Sequence, residues 1–240
     1  MKRTAIFILI ITGFAFVLTS CYYNFTGSIS GNGNVRLETR EVTEFNSVDA
    51  SNGLHVFITF GNTQSLEIEA DENLHDVIRT EVTSGTLRIF SEKNIRNAKA
   101  KKINISIPTL QEIEASSAAR LTGENILVAD RLTISVSSAA EVRIETEAEE
   151  IQVDASSSGS VELKGSAEEL DADVSSAGSI DADKLQARYC DVSASSAGNA
   201  SVWAAEELKA EASSAGNIRY KGNPTNTKVN SSSAGSISQK

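Results

Sequence analysis

A four-residue block, Ser-Ser-(Ala/Ser)-(Ala/Gly), recurs seven times in the second half of the chain, at intervals of 18 to 21 residues. The blocks begin at Ser116, Ser137, Ser156, Ser175, Ser195, Ser213 and Ser232. A fixed period of this length is typical of a solenoid, in which each repeat forms one coil that stacks on the next. The repeat therefore constrains the architecture much more tightly than it constrains the activity.

The residues on both sides of each block alternate as they do in β-strands. In most repeats, apolar residues lie one, three and five positions before the first serine, and polar residues lie between them. A second apolar alternation begins five positions after that serine. Because alternate side chains of a strand point to opposite faces, each coil is predicted to be a strand, a tight corner, a second strand and a variable return.

Two other repeat architectures fit this pattern less well. A left-handed hexapeptide helix needs an apolar residue at every sixth position and hence coils of about 18 residues, whereas the intervals here vary. A calcium-binding nonapeptide roll needs Gly-Gly-x-Gly-x-Asp, which the sequence lacks. The prediction is therefore an all-β fold, a right-handed parallel β-helix with coils of about 19 residues.

The corner residues are small because neighbouring coils of a β-helix lie about 4.8 Å apart. Serine hydroxyls stacked at this spacing are expected to hydrogen-bond one another or nearby backbone groups. Glycine is expected in the fourth position because it tolerates the dihedral angles of a sharp bend, although Ala119 and Ala140 stand there in the first two blocks. The corners are thus predicted to be structural; a flat serine ladder that binds carbohydrate or ice is the alternative.

The segment before the repeats predicts additional strands. They are expected at residues 42–49, 54–60, 65–69, 86–90 and 103–107. The second and third of these are predicted to pair with each other across Gly61-Asn62-Thr63. Asp71 is expected to cap a short helix that continues to Arg79.

The N-terminus has the features of a bacterial lipoprotein signal. Lys2 and Arg3 precede an apolar run from Ala5 to Leu18, which is shorter than the roughly 20 residues that span a bilayer. The run ends in Leu18-Thr19-Ser20-Cys21, which resembles a lipobox. Cys21 is therefore the predicted lipid-attachment site, and its acyl chains would hold the protein at a membrane. Ordinary signal cleavage beside an unrelated cysteine is the alternative.

These features predict four segments. They are a lipoprotein signal peptide at residues 1–20, a tether at 21–36, an N-terminal β-rich part at 37–110 and the β-helix repeats at 111–240. The predicted location is the outer membrane of the cell envelope. The residues that follow Cys21 lack an acidic cluster resembling a surface-export signal, which favours the periplasmic face over the outer face.

The charge and the small number of chemically active residues exclude several classes of function. The net charge of -10 argues against nucleic acid, because binding to it needs a basic footprint. His55 and His75 have no Cys or His neighbour at metal-ligand spacing. No histidine follows His75, so the serines of the repeats lack a base for a catalytic triad. We therefore expect no catalytic residue, metal or cofactor.

Several residues of the repeats are candidates for a functional site. Cys190 falls in an apolar column and is expected to be a small buried hydrophobe. Two aspartate pairs, Asp171 with Asp173 and Asp181 with Asp183, flank the core positions Ala172 and Ala182. Their carboxylates should therefore point into solvent; a calcium site or an acid–base pair is the alternative.

Two aromatic residues are the predicted ligand-binding positions. Trp203 follows the core position Val202 and should face outward, where an indole ring can stack on a sugar or on a protein partner. Tyr220 is the second large aromatic residue that is predicted to bind a ligand. Structural roles for both side chains are the alternative.

The chain also resembles the head GIN-domain family, which is described as putative auto-transporter adhesins. The resemblance rests on the serine-alanine-glycine repeats and on five matching runs, at residues 31–34, 41–48, 53–61, 70–74 and 85–89. It extends over roughly residues 30 to 237. It implies a secreted or lipid-anchored envelope protein with a right-handed parallel β-helix, and it brings no catalytic residues.

Three functional hypotheses follow from these observations. The first is a non-enzymatic, lipid-anchored envelope protein whose β-helix contacts a protein or glycan ligand. The second is a polysaccharide-active β-helix enzyme, because such folds often host lyases and hydrolases. The third is a structural envelope scaffold formed by a homo-oligomer, because open coil ends associate unless they are capped. Pro224 and the polar residues 223–228 are expected to limit such pairing.

Overall fold

A computed structural model describes residues 27–240, and it confirms the predicted β-helix as a β-solenoid of about seven turns with coils of about 19 residues. The strands are β1 (Ser28–Ile29), β2 (Val35–Thr39), β3 (Ser47–Ala50), β4 (His55–Phe60), β5 (Ser65–Asp71), β6 (Ile78–Thr83), β7 (Thr86–Ser91), β8 (Asn94–Ile95), β9 (Lys101–Ile107), β10 (Glu112–Ala115), β11 (Arg120–Gly123), β12 (Leu127–Val136), β13 (Glu141–Ala155), β14 (Ser160–Val174), β15 (Ser179–Ala194), β16 (Asn199–Ala212), β17 (Asn217–Lys221), β18 (Asn226–Ser231) and β19 (Ser236–Gln239). A 3-10 helix, Glu72–Leu74, lies between β5 and β6.

The strands form two ladders that run along the solenoid, one on each side of the corners. We call the strand segments that enter the corners face A. It runs in the order β6, β7, β3, β10, β12, the second halves of β13 to β16, and β18. We call the segments that leave the corners face B. It runs in the order β2, β5, β9, β4, β11, the first halves of β13 to β16, β17 and β19.

The core lies between the two faces and consists of the predicted apolar columns. Parallel pairing places Ile113, Ile134, Val153, Ala172, Val192 and Ala210 one above another. All six are completely buried. Burying a large aliphatic side chain contributes roughly 1.5–3 kcal/mol, so each coil is held by its inward residues while its outward residues are left to vary.

Each serine block forms a tight turn with two residues in the left-handed region. The second residue of the seven blocks has φ of 47–51° and the third has φ of 60–64°. The N–H of the fourth residue donates to the C=O of the first at 2.7–3.0 Å. These are the features of a type I′ turn, which usually prefers Asn-Gly. Serine and alanine take these positions here at a cost in backbone strain.

The coils are joined at the corners by backbone hydrogen bonds rather than by the expected ladder of serine hydroxyls. The N–H of the third residue donates to the C=O of the second residue in the next coil, as from Ala177 to Ser196 at 3.1 Å. The second serine of each block faces solvent. Because these N–H and C=O groups would be unpaired in an isolated turn, stacking helps to offset the strain.

The glycines in the fourth position serve a different purpose from the one predicted. None of them has a positive φ. A Cβ added to Gly159, Gly178, Gly198, Gly216 or Gly235 would lie only 2.3–2.7 Å from a backbone oxygen of the preceding coil. In these five corners glycine is therefore favoured by the close approach of two coils, whereas Ala119 and Ala140 fill the same position in the first two. The left-handed dihedral angles fall on serine and alanine.

The region before the repeats departs from the prediction in its strand pairing. β4 and β5 do not pair with each other, because β9 lies between them, parallel to β4 and antiparallel to β5. The expected strand at 42–49 is limited to β3, whereas β7 and β9 confirm the strands expected at 86–90 and 103–107. β3 and β4 in turn pair with β10 and β11, so the ladder continues across the predicted boundary at residue 110.

The predicted helix from Asp71 to Arg79 is wrong. Only the 3-10 turn forms, and β6 begins at Ile78. The carboxylate of Asp71 does not cap it; it accepts hydrogen bonds from the backbone N–H groups of Gly33, Lys99 and Ala100. These bonds lower the pKa of Asp71 although burial opposes them. They also hold part of the predicted tether against the domain, and β1 pairs with β8 there.

Candidate interaction surface

The outward side of face A carries a dense array of carboxylates, which we call the acidic face. It consists of Glu112, Glu114, Glu150, Asp154, Glu169, Asp171, Asp173, Asp191, Glu207 and Glu211. Their positions follow from strand register, since core residues separate them along each strand. Parallel pairing stacks Glu150 on Glu169, Asp154 on Asp173, and Asp171 on Asp191 in neighbouring coils. Adjacent strands lie about 4.8 Å apart, so the carboxylates form columns with little freedom in their spacing.

Crowding on the acidic face disfavours the ionised state of several carboxylates. Partial burial, and then the charge of Asp173, raise the pKa of Asp154. Partial burial, and then Asp173 and Asp191, raise the pKa of Asp171. Like charges at this distance repel each other and favour protonation. A positively charged group placed over these columns would relieve the repulsion.

Besides a groove of about 490 Å³ at its border, beside Arg131 and Glu150, two shallow grooves cross the acidic face. One has a volume of about 270 Å³ and is lined by Asp49, Glu114 and Asp154 together with serines of three corners. The other has a volume of about 420 Å³ and surrounds Tyr189 and Asp171, with Lys209 at its border. Ligand sites usually combine a concave surface with a few fixed polar groups, and the second groove adds an aromatic ring to them.

Tyr189 is the residue of this surface that sequence reasoning missed. It stands in register with Glu169 in the coil before it and Glu207 in the coil after it, and its ring is partly exposed. The guanidinium of Arg188 lies 5.0 Å from the centre of the ring and pairs with Glu168 and Glu206 at 2.7 Å. Strand alternation in the sequence does indicate its direction: Tyr189 immediately precedes Cys190, which lies in a core column, so the tyrosine side chain must face outward.

The two predicted ligand-binding residues do not form one site. Tyr220 stands in register with the buried Val202 and packs against the core. Trp203 lies on the outer side, in register with Gln186 and Lys221, and is partly exposed. Its indole lies beside Gly222, where an added Cβ would approach Trp203 Cδ1 to 2.9 Å. The side chains of Trp203 on β16 and Tyr220 on β17 therefore point to opposite faces of the sheet.

The other predicted residues have structural surroundings. Cys190 is buried, its thiol points at the carbonyl of Trp203 at 3.6 Å, and burial raises its pKa to about 12. His75 is buried, with Nε2 3.3 Å from the Ala70 carbonyl and Nδ1 3.2 Å from Glu38. Burial and then Lys101 lower the pKa of the partly exposed His55. Cys21 lies outside the described residues.

The paired aspartates face outward as predicted, but they are not equivalent. Asp171 and Asp173 belong to the acidic face, whereas Asp183 on face B pairs with Lys221 at 2.8 Å and Lys240 at 2.9 Å. Hydrogen bonds from these two ammonium groups lower the pKa of Asp183 to about 2. Within residues 27–240, no group of three or more His, Cys, Asp or Glu side chains is arranged to hold a metal ion.

No helix among residues 27–240 has the length and apolar character needed to cross a bilayer.

Several solved structures share this fold. A putative adhesin from Bacteroides fragilis NCTC 9343 is 26% identical, with a TM-score of 0.82 over 89% of this chain and all of that chain. A putative adhesin and a putative lipid-binding protein, both from Parabacteroides distasonis ATCC 8503, are 23% and 22% identical, with TM-scores of 0.70 and 0.69 over 89% of this chain and all of theirs. These last two show the fold alone.

No protein with a curated functional description is detectably similar to this chain. A family sequence profile matches residues 44–224, which is most of the chain and includes six of the seven serine blocks. That family is described as "Putative auto-transporter adhesin, head GIN domain". The chain belongs to this family.

Proposed function

We propose that this chain is a non-enzymatic protein of the cell envelope that is anchored by lipid at Cys21 and holds a protein or glycan ligand on its acidic face. The family, with its adhesin-like description, supports an envelope or surface role. The groove around Tyr189 is the observation that points to a particular surface, since it joins an aromatic ring to fixed carboxylates.

The chemistry of the groove favours a neutral or cationic ligand. An ionised carboxylate accepts hydrogen bonds and cannot donate them. The carboxylates of the groove therefore suit ligands that donate, such as sugar hydroxyls, amino sugars, and lysine or arginine side chains. The tyrosine ring offers an apolar face for stacking and a hydroxyl for a hydrogen bond. An anionic polymer would meet several uncompensated negative charges and would be rejected.

The ligand surface is tested by binding of the purified full chain to an array of immobilised neutral, amino and acidic glycans and to immobilised basic proteins. We expect Tyr189→Ala to reduce binding by at least about tenfold, which corresponds to about 1.4 kcal/mol, because it removes the ring at the centre of the groove. Trp203→Ala is the matched control, as another partly exposed aromatic residue on a different side of the coil. Loss with Trp203→Ala and no loss with Tyr189→Ala would contradict the assignment.

The anchor is tested separately by feeding the producing cells an alkyne-labelled fatty acid. The wild-type chain should become labelled and sediment with membranes, because lipidated cysteine holds it there. Cys21→Ala should abolish both properties. A labelled Cys21→Ala chain, or an unlabelled wild-type chain, would show that Cys21 is not the attachment site.

A further inference from the structure

The C-terminal end of the solenoid leaves core residues uncovered. Val229 on β18 stands in register with Ala210, in the same core column, yet it is 53% exposed, whereas Ala210 is 0% exposed. Among residues 27–240, β18 pairs with β16 and β19 pairs with β17, each on one side only. Strand edges of this kind offer unpaired N–H and C=O groups to another chain.

The N-terminal end also finishes in strand edges, but it closes the core. Within the part of the chain that the structure describes, β2 pairs only with β5, and β6 pairs only with β7. Between these strands the guanidinium of Arg40 binds Glu38 and donates to the carbonyls of Ile78 and His75. This end is therefore a polar lid flanked by two free edges, and β2 exposes 64% of Leu37.

Charge distinguishes the two ends. Residues 212–240 carry Arg219, Lys221, Lys228 and Lys240 and no Asp or Glu. The N-terminal edge segments, residues 35–41 and 72–83, carry five carboxylates against three arginines. All three arginines are engaged in ion pairs. Lysines of the C-terminal end are paired as well, Lys221 and Lys240 with Asp183 and Lys228 with Glu207, but the four cations there still outnumber these two carboxylates. The chain thus has a basic C-terminal end and an acidic N-terminal rim.

We propose that the C-terminal end of one chain docks on the N-terminal end of a second copy, so that the molecules stack head to tail. Each end presents one edge strand from each face: β18 and β6 on face A, and β19 and β2 on face B. Stacking therefore continues both ladders, and the polar lid of one copy covers Val229 of the next. The contact is heterologous, and repetition of it builds a filament.

Charge complementarity selects this arrangement over its rival. A two-fold tail-to-tail dimer would also cover Val229, but it would bring two basic ends together, and like charges across an interface are unfavourable. The proposal is independent of the ligand on the acidic face, since that surface lies along the side of the solenoid and stays exposed in the stack.

Sedimentation velocity of the full chain, carrying Cys21→Ala so that lipid does not cause association, tests the proposal. The average mass should rise with protein concentration and fall with added salt, which screens the charges of the two ends. Two double variants block one end each. Leu37→Lys with Glu81→Lys makes the N-terminal rim basic, and Lys228→Glu with Val229→Glu makes the C-terminal end acidic.

Each double variant alone should remain a monomer, and an equimolar mixture should form a dimer, because one intact end of each kind remains. Val128→Glu, which alters a side chain that is 71% exposed on the flank, should associate as the parent does, and circular dichroism should show that all variants are folded. A parent that stays monomeric at every concentration would overturn the proposal. So would self-association of the Leu37→Lys, Glu81→Lys variant alone, which indicates a tail-to-tail dimer.

Discussion

Asp183 illustrates how one residue on the surface is bound to two other coils. Its carboxylate lies on β15 and accepts from Lys221 on β17 and Lys240 just after β19. The carboxylate is mostly covered, with 13% of the side chain exposed, so the pair is less screened than an ordinary surface ion pair. It ties the last coils of the solenoid together at the end where fewest core contacts are available.

The pH dependence of stability should report this contact. The folded pKa of Asp183 is lowered from its ordinary value to about 2, so the unfolded state binds the proton first. The stabilisation is therefore present above about pH 4 and is lost as the pH falls through the folded pKa. We expect Asp183→Asn to lower the free energy of unfolding near neutral pH, and the difference from the wild-type chain to shrink towards pH 2.

The measurement is urea unfolding of both chains across this pH range. The comparison has to be between chains, because Glu114, Asp154 and Asp171 have raised pKa values and change stability in the opposite direction as the pH falls. Asp181→Asn is the control, since the Asp181 carboxylate accepts a hydrogen bond from the backbone N–H of Asp183 at 3.3 Å, which an asparagine oxygen can also accept, and forms no ion pair among residues 27–240. A difference between wild type and Asp183→Asn that is independent of pH would contradict the assignment.

At the level of the element, the serine corner is a turn in which different residues bear the backbone strain and the packing constraint. The second and third residues have positive φ, whereas the fourth lies close to an oxygen of the preceding coil. The first corner of the column is Ser51-Asn52-Gly53-Leu54, with Asn52 and Gly53 at φ of 60° and 66°. The seven later corners place Ser and Ala or Ser in the same dihedral angles. Small side chains suffice there, because the corner needs little volume and the ladder of backbone hydrogen bonds holds the turn.

Adjacent substitutions at one corner should have opposite effects. Gly178→Ala would place a Cβ 2.6 Å from the Ala155 oxygen, and it should lower the free energy of unfolding by about 1–3 kcal/mol, as other overpacking does. Ala177→Gly removes a Cβ from a residue at φ 60°; the relief of strain should outweigh the added freedom of the unfolded chain by about 0.5 kcal/mol.

The urea unfolding midpoints of these two variants and of the wild-type chain measure both changes in stability. Ala172→Gly, at a buried strand position with ordinary dihedral angles, is the control and should destabilise. If Ala177→Gly were as harmful as Ala172→Gly, the corner would depend on its methyl groups and the separation of strain from packing would fail.

At the scale of the whole solenoid, the coils form a column whose sides and ends have different chemistry. Along its sides, the inward positions must hold apolar residues that pack in the core, whereas the outward positions are not constrained by that packing. An acidic face can therefore be built on the outward positions without disturbing the core. Stability in such a stack is roughly a sum over neighbouring coils. Among the described residues, the last coil pairs with one neighbouring coil and exposes the core residue Val229, so head-to-tail stacking would supply a second neighbour.

The repeat by itself determined the solenoid, the coil length, the buried position of Cys190 and the outward direction of Asp171 and Asp173. It could do so because each coil pairs with a near copy of itself. The period of the repeat therefore indicates both where a strand lies and which strand it pairs with. The segment before the repeats has no such copy. There, only tertiary structure decided that β9 separates β4 from β5, and that the carboxylate of Asp71 binds three distant N–H groups instead of capping a helix.

Tertiary structure also decided which outward residues meet. The pattern shows that Tyr189 faces outward, but its groove exists because parallel stacking brings Glu169 and Glu207 beside it from two other coils. In the five corners that end in glycine, an oxygen of the preceding coil lies where a Cβ would stand, a constraint that a local turn preference does not include. Local periodicity fixes the face on which a side chain lies, whereas stacking distance and register fix its neighbours, and the candidate site depends on the neighbours.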